Sequence, residues 1–233
     1  MTQFDEAKHN RATDGKFTTK AHSEAEGVTL GVAAPTRREA HGGEEWRLPN
    51  GDFHREGGPA ITEADGTQRW YDHDRRHREG GPAVIHPDGS EAWFHNDELH
   101  REDGPALTHA NGTAEWYERG KRHRDGGPAV TYAGGGEKWY KHGQLHRDGA
   151  PAITRPDGSE EWWVNGQLHR DDGRPAVTWA DGAKEWWVDG QRHREGGPAV
   201  VTAAGTLEWW RHGKKRRTGG PIVAAQEQDK TNL

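Results

Sequence analysis

The residues with chemical potential in this chain form a ladder. His-Arg pairs stand at His54-Arg55, His77-Arg78, His100-Arg101, His123-Arg124, His146-Arg147, His169-Arg170 and His193-Arg194, with Arg216-Arg217 in the eighth place. Neutral imidazole ligates metals and shuttles protons, and guanidinium binds carboxylates and phosphates. The ladder therefore raises metal binding, acid–base chemistry and anion binding together. A metal site needs converging ligands. One His per copy recurs every ~10 Å along a stack of strand pairs and points the same way, and the chain has no Cys to help. The sequence thus predicts no metal site and implies no cofactor. Catalysis is not expected either, because every carboxylate and His belongs to the repeated pattern. The residues that break it, Arg174, Trp179 and Tyr132, form no acid–base or nucleophile set. The expected roles are structural, at His77, His100, His123, His146, His169 and His193. There His caps a turn or strand end, and Arg pairs with a repeated acid such as Glu56, Glu79, Glu102, Asp125 or Asp148.

Other columns share the phase. Successive His-Arg pairs lie 23 residues apart, except for a step of 24 after His169, where Arg174 is inserted. Pro59, Pro82, Pro105, Pro128, Pro151, Pro175, Pro198 and Pro221 follow the pairs, each with an aliphatic residue two positions on, from Ile61 to Val223. Trp46, Trp70, Trp93, Trp116, Trp139, Trp162, Trp186 and Trp209 open the copies. A second aromatic follows from the second copy onward, at Tyr71, Phe94, Tyr117, Tyr140, Trp163, Trp187 and Trp210. Self-similarity at a fixed short period is the mark of a repeat architecture.

Two turn signals punctuate each copy. One precedes the His: Asn50-Gly51, Asn96-Asp97, Arg119-Gly120, His142-Gly143, Asn165-Gly166, Asp189-Gly190 and His212-Gly213. The other precedes the next Trp: Asp65-Gly66, Asp88-Gly89, Asn111-Gly112, Asp157-Gly158 and Asp181-Gly182. Such dipeptides suit type I′ hairpin turns, with both central residues at positive φ. Short Trp/Tyr/Val/Ile/Thr runs between them favour strands, and no interval holds a good helix. The expected fold is all-β: an elongated array of about eight 23-residue β-hairpin repeats, as one meandering sheet or a solenoid. The array spans 42–224. It follows a largely disordered leader over 1–41 and precedes a polar tail over 225–233.

Composition agrees. Of 233 residues, 30% are hydrophobic and 30% charged, with 12 Trp and 33 Gly, and the mean hydropathy is -1.20. Leu, Ile, Val and Phe make up about 11% of the chain, below the ~20% that ordinary cores need. A thin array compensates with Trp, each able to bury ~150–250 Å². No apolar stretch is long enough to span a membrane, and no secretory signal opens the chain. With zero Cys, a cytoplasmic location is expected. The net charge of -6 argues against nonspecific nucleic-acid binding.

Segments such as Glu115-Trp116 followed by Gly120-Lys121-Arg122-His123, and Lys138-Trp139 followed by Gly143-Gln144-Leu145-His146, resemble MORN repeats. The match is to a variant form. Arg124 stands where the family has Gly after His, Glu160-Glu161 replace its Tyr-x-Gly element, and the Gly-Pro-Ala element is additional. Such variant arrays are similar to those of bacterial and viral proteins, some labelled antitoxin-like. The resemblance implies a β surface used for interaction. The expected function is a non-enzymatic scaffold binding a protein partner, extending by analogy to neutralising a toxin or defence protein. The alternative is ligand or nucleic-acid binding along an Arg/aromatic face. Trp70, Trp93, Trp116, Trp139, Trp162, Trp186 and Trp209 are expected to be structural. The second aromatic column, Tyr71 to Trp210, is the expected partner-binding set. Lys214-Lys215-Arg216-Arg217 reads as a solvated end cap.

Overall fold

The computed structural model describes residues 35–219. Within them every element is a strand. Seventeen strands form one antiparallel sheet in which each strand pairs with its neighbours along the chain, skipping only the second hairpin of each copy. At ~4.8 Å per strand, the strand-to-strand path covers about 77 Å. Six separate two-stranded hairpins, such as Tyr71–Asp72 with Arg75–Arg76, are the skipped elements. A copy is therefore a sheet hairpin followed by a satellite hairpin, as Ile61–Thr62 with Gln68–Arg69 precedes Tyr71–Asp72 with Arg75–Arg76.

Register distributes the side chains. Glu45, Ile61, Arg69, Val84, Ala92, Leu107, Glu115, Val130, Lys138, Ile153, Glu161, Val177, Glu185, Val200 and Glu208 are consecutive cross-strand partners. Direct partners share a face, so one row alternates aliphatic with mostly charged residues. The opposite face carries the first Trp column and the alanine after each Pro from Pro59 to Pro198. Ala60, Ala83, Ala106, Ala129, Ala152, Ala176 and Ala199 are all fully buried. Their carbonyls accept the Trp N–H of the facing strand, as from Trp46 to Ala60 at 2.7 Å and Trp70 to Ala83 at 2.8 Å.

The two turn signals resolve differently. Asn96-Asp97, Arg119-Gly120, His142-Gly143, Asn165-Gly166, Asp189-Gly190 and His212-Gly213 place both residues at positive φ, as type I′ requires. His73-Asp74 does the same at 47° and 65° with no glycine. The Asp-Gly set departs from expectation. Asp65 stays at negative φ and only Gly66 is positive. Gly66 N–H bonds to Glu63 O at 2.9 Å, and Glu63 N–H to Thr67 O at 2.8 Å, which describes a type I turn closed by a glycine bulge. The cause is the Asp side chain: its Oδ1 accepts the Thr67 N–H at 2.8 Å, a local bond that short acids favour. Asn50 likewise is not at positive φ.

The sheet also begins before residue 42. Thr36–Ala40 pairs with Gly43–Arg47 through a His41-Gly42 turn at φ 50° and 79°. That strand lacks the Trp and Gly-Pro columns, so the periodicity did not reveal it. The rest of the leader over 1–34, and residues 220–233, with Pro221 and Val223 of the last copy and the polar tail over 225–233, lie outside the described residues. No helix among the described residues is long and apolar enough to cross a membrane.

Candidate aromatic face and the repeat clasps

Each column of the repeat meets a specific partner. The arginine of every His-Arg pair lies over the Trp of its own copy, from Arg170 over Trp162 at 3.6 Å to Arg55 over Trp46 at 4.3 Å. In seven copies Nη1 also donates to a proline carbonyl, as Arg78 to Pro82 at 3.1 Å and Arg147 to Pro151 at 3.1 Å. The residue before the proline packs close behind the guanidinium: a Cβ on Gly81 would stand 2.9 Å from Arg78 Cζ, and Ala150 and Arg174 hold the equivalent place in the fifth and sixth copies. This corrects the expected Arg–acid pairing. Among the described residues, only Arg170 of this column also meets an acid, Asp172, at 3.0 Å. The reason is position: Glu56, Glu79, Glu102, Asp125 and Asp148 are exposed in the corner loops, where pairing contributes little, while a ring and a carbonyl stand directly beside the guanidinium. The inserted Arg174 serves Asp172 as well, at 2.8 Å. Its hydrogen bond to that carboxyl holds Asp172 down to about 2.

Histidines act between copies. The Nδ1 of His100, His123, His146, His169 and His193 accepts the N–H of Arg119, His142, Asn165, Asp189 and His212, each the first residue of the next copy's turn, at 3.2–3.4 Å. At the opposite end a hydroxyl does the same: Ser90 Oγ accepts Ala110 N–H at 2.9 Å, and Ser159 Oγ accepts Ala180 N–H at 3.0 Å. The clasp is not uniform along the array. Where the next copy offers Pro156, which has no N–H, the position holds Gly136, and a Cβ there would meet Pro156 Cδ at 3.1 Å; opposite Pro87 the position holds Thr67, whose hydroxyl lies 3.4 Å from His86 Nδ1 instead.

The second aromatic column returns to the aliphatic face. Trp163, Trp187 and Trp210 donate Nε1–H to Glu161, Glu185 and Glu208, two residues earlier, at 2.8–2.9 Å. Tyr117 donates its hydroxyl to Glu115 at 2.9 Å. Burial pushes the Tyr117 phenol up, reinforced by its bond to Glu115, to about 12. Burial also pushes Glu115 up, but hydrogen bonds from Arg122, His109 and Tyr117 outweigh it and hold the carboxyl below its ordinary value. Arg122 lies 5.5 and 5.7 Å from the rings of Tyr117 and Tyr140, and Arg192 lies 5.1 and 5.3 Å from Trp187 and Trp210. All seven aromatics are half-buried, as are Arg76, Leu99, Arg122, Leu145, Leu168 and Arg192 between them. Tyr132 and Trp179, which break the pattern, are exposed on the same face, at 41% and 36%. The structural Trp column is half-buried too, except the buried Trp186.

Open grooves lie between copies; one, of about 730 Å³, is bordered by Trp116, Tyr117, Arg101, Arg124 and the acids of the corner loops. No protein-family model matches the chain, and no curated protein matches it.

Proposed function

We propose that this chain is a non-enzymatic repeat scaffold of the cytoplasm that binds a protein partner through the aromatic stripe from Tyr71 to Trp210. The observation that carries the reading is the fixing of Trp163, Trp187 and Trp210. Each indole is tied to its own glutamate yet remains half-exposed. Rings held in one orientation before binding lose little entropy when a partner covers them. Trp, Tyr and Arg are also the residue types that dominate interface energetics. Trp179 widens the stripe where the column turns from Tyr and Phe to Trp. The resemblance to MORN variants gives this reading its specific form, neutralisation of a toxin or defence protein.

The second reading, nucleic-acid or ligand binding, draws on Arg122 and Arg192 set between rings. It is disfavoured by the carboxylates of Glu161, Glu185 and Glu208 beside those rings, which repel phosphate. The test is capture of a partner by the full chain, followed by binding of the purified pair. Trp187→Ser is expected to weaken the complex roughly thirtyfold, while Val164→Ser, alternating to the other face of its hairpin, leaves it unchanged. Equal binding by both variants overturns the assignment. Tight binding to single strands that falls steeply with salt favours the second reading.

A further inference from the structure

The clasp has an outlier at the start of the array. In five later copies the His Nδ1 takes a backbone N–H from the next turn. His54 does not. Its Nδ1 instead lies 3.1 Å from Asp72 Oδ1, off the line of a hydrogen bond, so that this buried nitrogen has no hydrogen-bond partner. The same Asp72 oxygen lies 2.6 Å from His73 Nδ1. His73 is the first residue of the second copy's turn, and its ring stands 4.6 Å from that of His54. Two imidazole nitrogens from adjacent copies thus converge on one carboxylate oxygen. A second buried, unpartnered imidazole nitrogen, His77 Nδ1, belongs to the same pair of copies.

The geometry points to a site for a late first-row divalent cation, with zinc as its representative, held by His54 Nδ1, Asp72 and His73 Nδ1 across the first and second copies. Two imidazoles and a carboxylate suit zinc-like ions rather than calcium or magnesium, which take oxygen ligands. Tetrahedral zinc, with bonds of ~2.0–2.2 Å, sets its ligand atoms about 3.3 Å apart. The His54–Asp72 separation is already close to that value. The 2.6 Å His73–Asp72 contact opens with a small side-chain rotation, for which there is room: these side chains are 59% and 52% exposed, against 15% for His54. Ligation through Nδ1 takes His73 as its neutral Nε2–H tautomer, so the Nδ1 position now facing Asp72 is left unprotonated with no net loss from the ring, and water takes the open position.

Among the described residues one other set has the required proximity, Glu118, His123 and His142. It is already satisfied. His123 Nδ1 accepts the His142 N–H at 3.3 Å, which puts its proton on Nε2, the atom facing Glu118 at 3.6 Å. Its rings are also stacked, 4.3 Å apart and 17° from parallel. The argument against metal from one His per copy therefore holds for the consensus column alone; the turn residue of the following copy supplies the second imidazole.

The experiment is a calorimetric titration of the full chain with zinc chloride alone, with cobalt as a spectroscopic substitute reporting tetrahedral geometry. One tight binding event per chain is expected. His73→Asn should weaken it at least tenfold while keeping the turn, since Asn96 and Asn165 hold the same position at φ 49° and 48°. Asp72→Val, which installs the residue type of Val164 and Val188, should do the same. His142→Asn should leave the tight event unchanged. Absence of a tight event, its survival in both His73→Asn and Asp72→Val, or its loss in His142→Asn overturns the proposal.

Discussion

Replacing Arg147 by Met separates the two accounts of the arginine column. The guanidinium lies 3.8 Å over the Trp139 ring, and Nη1 donates to Pro151 O at 3.1 Å. Methionine keeps the apolar stem but removes charge and donor. A half-exposed cation–π contact contributes about 1 kcal/mol. A charged hydrogen bond contributes about 1.5 kcal/mol, discounted to about 1 for exposure. The expected loss is about 2 kcal/mol, of which about 1 should appear as coupling in a double-mutant cycle with Trp139→Leu. Copies in an array open locally, so urea unfolding is best paired with hydrogen exchange at the His146 amide, which bonds to Trp139 O at 3.1 Å. Asp148→Asn is the control. If arginine worked through its neighbouring acid, this change would cost as much as Arg147→Met; the exposed position of Asp148 predicts a change within about 0.5 kcal/mol. A coupling below about 0.3 kcal/mol between Arg147 and Trp139 would refute the stacking account.

Two other outcomes test the clasps and the polar network. Ser159→Ala leaves the Ala180 N–H without its acceptor and should cost about 1 kcal/mol; exchange at Ala180 should accelerate while Ala110, bonded to Ser90, keeps its rate, and equal rates for Ala180 before and after would remove the clasp. Tyr117 is disfavoured as phenolate, with its titration moved from the ordinary 10 to about 12. Its contribution to stability is therefore complete below pH 10 and lost as pH rises from 10 to 12. The tyrosinate absorbance that disappears in Tyr117→Phe should develop only near pH 12, and a transition near pH 10 would contradict the Glu115 contact.

The turn before each His was legible in most copies. Arg119-Gly120 and Asn165-Gly166 became the type I′ turns their residues suggested. His73-Asp74 gave no such signal, because the pair contains neither glycine nor asparagine, although His142, His212 and Asp97 hold the same positions elsewhere. Its second residue is held by the neighbouring copy: Asp74 Oδ1 accepts the Phe53 N–H at 2.8 Å. The Asp65-Gly66 type was misread for a related reason, since a side-chain bond to Thr67 outweighed the dipeptide preference.

The period, the all-β class, the strand positions and the columns themselves are properties of the chain read in line, because each copy poses the same short-range problem of turns and strand-favouring residues. Partners are not. Arg147 meets Trp139 and Pro151 only after the corner loop folds back. His146 reaches Asn165, Ser159 reaches Ala180 and His54 reaches Asp72 across intervals of about one repeat. The alternation of Val130 with Glu115 and Lys138 on one row is a consequence of antiparallel register, and a slip of one residue would turn every one of those side chains to the other face. Contacts across a repeat depend on stacking, and stacking is decided by packing and register, which a single line of residues does not contain.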